Sequence, residues 1–138
     1  MNQKKSVALL GTMATKWREE AKKHLEVCEV LDNTDPRWEQ AKTAEQMELL
    51  LAQDIEMMDK AALVIWHHDA DTAGPTARIE LGFLAAFAFI EAKQTIVHVE
   101  PGVASREYMR ALVLNLPDMH WAESWEEVYG LVPGLLFD

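Results

Sequence analysis

Between residues 69 and 82 the chain reads Asp-Ala-Asp-Thr-Ala-Gly-Pro-Thr-Ala-Arg-Ile-Glu-Leu-Gly, with Asp69, Asp71 and Glu80 as its carboxylates. A strand-like apolar run precedes this stretch and a long apolar helix follows it. A carboxylate one to two turns into a buried helix is costly to desolvate. Glu80 therefore has a partner, faces water or faces a ligand. Leu81, Leu84, Ala85 and Ala88 form the expected core stripe of the helix, and Glu80 sits beside it, in line with Phe83 and Phe87. A lone helix glutamate is usually solvated, but Ile79, Leu81 and Phe83 leave little polar surface around this one. Near a helix N-terminus the macrodipole favours the anion, and an anion so placed can attack an electrophile or stabilise positive charge. Asp69 and Asp71, taken singly, read as turn formers or caps. Together they suggest a phosphate-accepting aspartate at a strand end, but that chemistry needs acidic metal ligands after the first strand. Leu9, Leu10, Gly11 and Thr12 supply none.

A second group of candidates follows the first strand, in Gly11-Thr12-Met13-Ala14-Thr15-Lys16-Trp17. This is neither a Walker A loop nor a dinucleotide fingerprint. Gly11 allows close approach of the backbone to a ligand, and the helix after it offers free N–H groups. Trp17 and Trp38 are candidates to stack on a planar base, or are core or interface residues. Trp66, Trp121 and Trp125 read as structural. Lys16, Arg18, Arg78 and Ser105 are candidates to meet a phosphate, and equally surface residues. His67 and His68 are adjacent, so on a strand they point to opposite faces. No Cys/His set has zinc spacing, and neither a metal nor a cofactor is implied.

The elements that must position these residues alternate. Residues 6–10 read as a first strand, 16–27 as a helix with Trp17, Ala21, His24 and Leu25 on one side, and 29–31 as a weaker strand. The turn formers Asp32, Asn33, Thr34, Asp35 and Pro36 end that strand. Thr43 and Gln46 form a capping-box pattern, opening a helix with a stripe of Met47, Leu50, Leu51, Ile55 and Met58. The continuous apolar run 61–66 suits a central parallel strand, and Pro75 suits the first position of the next helix. A strand over 95–99, a helix capped by Ser105 and running to 114, a short strand over 119–122 and a helix opened by Ser124 complete the chain. Five strand–helix alternations without repeat or linker predict one domain over 1–138. Its expected architecture is a doubly wound, flavodoxin-like α/β fold, a five-stranded parallel sheet with helices on both faces. Ligands in such sheets bind beyond the carboxyl ends of the strands, where segments 11–17, 32–38 and 67–80 converge.

Composition narrows the partners. At 138 residues, about half of them apolar, the chain buries an ordinary core. Its formal charge of −10 disfavours a nucleic-acid polymer, whose binding rests on phosphate neutralisation. A single nucleotide is not excluded, because one helix N-terminus holds one phosphate. The apolar run 81–90 is too short to span a bilayer, and the first residues lack a signal-peptide pattern, so a cytoplasmic protein with no membrane partner is expected. The single cysteine, Cys28, lies between Val27 and Val30 and reads as a buried structural thiol.

Taken together, these residues resemble the nucleoside 2-deoxyribosyltransferase-like family. The opening Val7-Ala8-Leu9-Leu10-Gly11-Thr12-Met13-Ala14-Thr15-Lys16-Trp17-Arg18-Glu19-Glu20 is similar to that family's first strand, Gly-Thr/Ser turn and Trp-Arg-Asp/Glu helix start. Residues 32–38 stand where the family has an Asn-Pro-rich loop ending in tryptophan. The 61–66 run and Gly74-Pro75, then Ile79-Glu80-Leu81-Gly82, resemble its third strand and Glu-hydrophobic-Gly helix start. The resemblance spans about the first two-thirds of the chain. It implies an enzyme acting on the N-glycosidic bond of a nucleoside or 5′-nucleotide. Glu80 would attack the anomeric carbon, an aspartate (Asp69 or Asp71) would assist the leaving base, and Gly11, Thr12, Trp17, Asp35, Trp38 and Gly74 would bind substrate. The family's aspartate lies closer to its glutamate than Asp71 does, the nearer positions here being Thr72, Ala73 and Gly74. That departure favours the competing reading, a binding module of the same fold without chemistry. The family also completes its sites across subunits. The apolar faces 47–58 and 83–90 exceed what one helix layer buries, so a homo-oligomer is expected.

Overall fold

The computed structural model describes residues 4–12, 16–32, 42–71 and 75–137, and for 75–78, 83, 87 and 89 the backbone alone. Five strands alternate with five helices in these segments: β1 (Ser6–Gly11), α1 (Lys16–His24), β2 (Glu29–Asp32), α2 (Ala44–Lys60), β3 (Leu63–His68), α3 (Pro75–Glu91), β4 (Gln94–Val99), α4 (Arg106–Leu114), β5 (Met119–Ala122) and α5 (Trp125–Phe137). The strands form one parallel sheet in the order β2-β1-β3-β4-β5. This is the doubly wound, flavodoxin-like arrangement expected from the alternation. The chain reverses direction across the sheet at the β1/β3 seam, the topological switch point where such folds open a crevice.

The central strands are apolar on both sides because helices cover both. Val7, Leu9, Leu63, Ile65 and Ile96 face α1 and α5, packing with Trp17, Ala21, Val128 and Val132. Ala8, Leu10, Val64, Trp66, Val97 and Val99 face the other way, with Met58 of α2, Leu81, Leu84, Ala85 and Ala88 of α3, and Met109 and Val113 of α4. The period-two alternation thus assigns each strand residue to a face. His67 and His98 fall on the α1/α5 side, and Trp66 and His68 on the other.

Local signals placed several boundaries. The Thr43 capping box is present: Thr43 Oγ1 accepts from the Gln46 N–H, and Gln46 Oε1 accepts from the Thr43 N–H. At α5 the motif is displaced by one residue. Ser124 Oγ accepts from the Glu127 N–H, but the Glu127 carboxylate reaches the Glu123 N–H instead of that of Ser124.

Other expectations are corrected. Helix α1 stops at His24, so Val27 is exposed, and Cys28 is buried without its help. Strand β3 lies two residues later than the apolar run, taking in His67 and His68 and leaving out Ala61 and Ala62. Both histidines are buried with ring nitrogens against backbone carbonyls, which lets polar rings finish a buried strand. In α2 only Leu50 and Met58 of the apolar stripe are buried, while Met47, Leu51 and Ile55 are exposed. Ser105 precedes α4 in the left-handed region (φ 65°), and its side chain makes no capping bond. Among the described residues no helix is long and apolar enough to cross a membrane.

Candidate functional site

The β1 terminus explains itself from its residues upward. Gly11 has φ +118°, and a Cβ there would overlap the His67 carbonyl of the neighbouring strand. Only glycine suits that conformation and that proximity. Thr12 then ties the two strand ends together: its N–H donates to the His67 carbonyl at 3.0 Å. Its hydroxyl donates to Asp69 Oδ2 at 2.7 Å and accepts from the Asp69 N–H at 3.3 Å.

Arg18 closes the turn from beneath. The sequence left it as a phosphate ligand or a surface residue, and it is neither, being 1 % exposed. Its guanidinium donates to the Leu9 carbonyl (2.8 Å), the Thr12 carbonyl (3.1 Å) and Asp32 Oδ1 (2.7 Å), and lies 4.6 Å from the Trp17 ring centroid. Burial pulls its pKa below the ordinary arginine value, against the pull of Asp32. A forked cation is the side chain that can satisfy several carbonyls and a carboxylate at once.

Glu80 sits in the second turn of α3, above the β1/β3 seam. Trp66 Nε1 donates to Glu80 Oε1 at 3.1 Å, and the Gly11 N–H donates to the same carboxylate. Burial, and after it the charge of Asp54, raises its pKa to about 7, against the pull of Trp66, Arg18 and Gly11. Ile79 does not shield Glu80, being 75 % exposed. It is the helix's approach to Trp66 and the glycine turn that half-buries Glu80.

Asp54 was missed from the sequence. It lies on α2, 7 % exposed, between the buried Leu50 and Met58. The signal was present: three residues at spacing four share one helix face, and the middle one is a carboxylate in a core stripe. Its charge reaches Glu80 in a poorly solvated place and adds to the rise in the Glu80 pKa. Trp66, read as structural, is the residue that orients Glu80.

Trp17, Asp69 and Asp71 meet elsewhere. They line a cavity of about 770 Å³ on the α1/α5 side, with His67, Trp125 and Tyr129 among its other walls. Trp125, also read as structural, stacks on Trp17 (centroids 5.6 Å apart, 20° between planes) and on Tyr129 (5.8 Å, 22°). Glu80 does not line this cavity. The expected site residues therefore divide between the two faces of the sheet, with Gly11 beside Glu80 and Thr12 bonded to Asp69. Lys16 lies at the cavity wall. Asp35, Trp38, Gly74 and the Arg78 side chain lie outside what is described.

No protein-family model matches the chain, and no curated protein matches it. A solved structure does. A 2-deoxyribosyltransferase from the psychrotolerant bacterium Bacillus psychrosaccharolyticus aligns over 90 % of this chain and 90 % of its own, with TM-score 0.63 and 16 % identity. At that identity the likeness shows the fold.

Proposed function

We propose that the chain cleaves or transfers at the N-glycosidic bond of a nucleoside or 5′-nucleotide, with Glu80 as nucleophile. The observation that carries this reading is the setting of Glu80: a half-buried carboxylate at the switch point, held by Trp66 Nε1 and the Gly11 N–H, with a second buried carboxyl, Asp54, near enough to raise its pKa. The fold shared with a 2-deoxyribosyltransferase supports it.

In the proposed reaction Glu80 forms an ester bond to the anomeric carbon as the C–N bond to the base breaks, and the bond's electron pair leaves with the base. A proton from a neighbouring carboxylic acid neutralises that base. Water or a second base then displaces the sugar from Glu80. This is the logic of retaining glycoside cleavage, with two carboxyl groups in separate roles. Asp69 and Asp71 are the candidate acids, as named by the sequence, while Asp54 is the anionic neighbour whose charge raises the Glu80 pKa. Acid assistance of this kind is worth about 10²–10⁴-fold in rate.

The test is incubation with nucleosides and their 5′-monophosphates, following free base by chromatography. Base release that disappears in Glu80→Ala supports the reading. Release from no substrate, or full activity in Glu80→Ala, rejects it. Asp69→Asn and Asp71→Asn, compared on the best substrate, identify the acid. Tight binding by calorimetry without turnover selects the non-catalytic module.

The chain is also proposed to self-associate through α2 and the outer side of α3, where Met47, Leu49, Leu51, Ile55, Ile79 and Ile90 are exposed. Such a band of apolar side chains suits an interface. Light scattering that finds only monomer counts against it.

A further inference from the structure

The cavity on the α1/α5 side, which Glu80 does not line, offers a ligand further chemistry. Its wall is aromatic: Trp125 packs at 4.6 Å from the His67 ring centroid and 4.7 Å from that of His98, besides stacking on Trp17 and Tyr129. Trp125 and Tyr129 are half-buried and line the cavity, so ring surface remains for a planar ligand. Among the described residues the lining sets Lys16 against Glu20, Asp69, Asp71 and Glu100, with His24, His67 and His98 beside them. A phosphorylated ligand would meet net repulsion there, and a cation net attraction.

The buried His67 makes the requirement more specific. Its Nδ1 lies 3.1 Å from the His98 carbonyl oxygen, which can only accept, so Nδ1 carries the hydrogen. The His98 Nδ1, at 2.9 Å, faces the same hydrogen. Nε2 of His67 is therefore a bare lone pair, and it lies 3.6 Å from Glu100 Oε1. Burial first, and then His98, lowers the His67 pKa to about 3, so the ring does not become a cation to pair with Glu100. Two acceptors thus face each other across the cavity wall with no hydrogen between them. A ligand that brings N–H donors to that point satisfies both.

We infer that this cavity is a second ligand site, taking a planar nitrogen base that carries a positive charge and an amidine-type pair of N–H donors. One donor goes to His67 Nε2, the other to the Glu100 carboxylate, and the ring lies along Trp125. The charge-assisted bond to Glu100 is the stronger contact, and the aromatic wall favours a cation over a neutral ring. These contacts are to His67, Glu100 and Trp125, so they stand whether or not Asp69 or Asp71 of the same cavity serves the reaction proposed for Glu80.

Benzamidine, benzamide and benzoate have the same ring and differ in charge and donors. Calorimetric titration of the whole chain with each, at millimolar concentrations, is the test. Saturable binding of benzamidine is expected, with benzamide about tenfold weaker or worse and benzoate silent. Glu100→Gln, a change at a half-buried position, should weaken benzamidine about tenfold and leave benzamide unchanged. Glu80→Gln should leave both unchanged. No saturable binding of benzamidine overturns the proposal, as does equal binding of benzamide or an unaltered affinity in Glu100→Gln. Loss of binding in Glu80→Gln alone overturns the separation of the two sites.

Discussion

Replacing Glu80 by glutamine should make the protein more stable at neutral pH, by an amount that depends on pH in a calculable way. The folded-state pKa of Glu80 is about 7, against an ordinary value of 4.5. The native state therefore holds this proton more tightly than the unfolded chain does. Stability from this group is fully present below pH 4.5 and is lost as pH rises through 7. The difference between the two values corresponds to at most about 3 kcal/mol, an upper figure because the half-buried side chain keeps some contact with solvent. Glutamine keeps an oxygen to accept from Trp66 Nε1 and has nothing to ionise. Urea unfolding of both proteins across pH 5–8, followed by tryptophan fluorescence, gives the difference directly, and groups not coupled to Glu80 cancel in it. The variant should gain on the wild type steadily up to about pH 8. In thermal scans at that pH the gain is roughly 10 °C. A difference that stays flat from pH 5 to 8 would refute the claim that burial holds the Glu80 proton. It would also remove the main reason to regard this carboxylate as poised.

The same electrostatics governs activity. Base release, once a substrate is found, should rise with pH to a midpoint near 7, where Glu80 ionises. Trp66→Phe removes a donor to the carboxylate and should move that midpoint upward, read from a pH–rate profile. Asp54→Asn removes the neighbouring negative charge and should move it downward, whatever it does to the maximal rate. Arg18→Leu strips the buried partner from Asp32 and from the carbonyls of Leu9 and Thr12. It should cost about 3–5 kcal/mol in urea unfolding.

Much of the architecture was legible because local signals and tertiary burial agreed. The stripe Leu81, Leu84, Ala85 and Ala88, the Thr43–Gln46 box and the strand Met119–Ala122 are where the sequence put them. Strand β3 was misplaced because polar rings in an apolar run read as its end. What buries His67 and His68 is a carbonyl supplied by the fold, and residue type does not announce that. Arg18 was misread for a related reason. An arginine one turn into an amphipathic helix looks solvated until the carbonyls of Leu9 and Thr12 and the Asp32 carboxylate are brought beneath it. Glu80 was found for partly mistaken reasons, since Ile79 faces outward. The division of the expected site between two faces was beyond the sequence altogether. It depends on which side of the sheet α1, α3 and α5 cover, and no spacing rule encodes that.

The β1 terminus has one more consequence. Its carbonyls at Leu9 and Thr12 are taken by Arg18, its amide at Thr12 by His67, and its amide at Gly11 by Glu80. Glycine turns in this place commonly keep main-chain groups in reserve for whatever docks there. Here Gly11 and Thr12 have spent theirs on the protein itself. What these two residues contribute to selectivity is then written in side chains, and substitutions around their unchanged main chain would be enough to alter it.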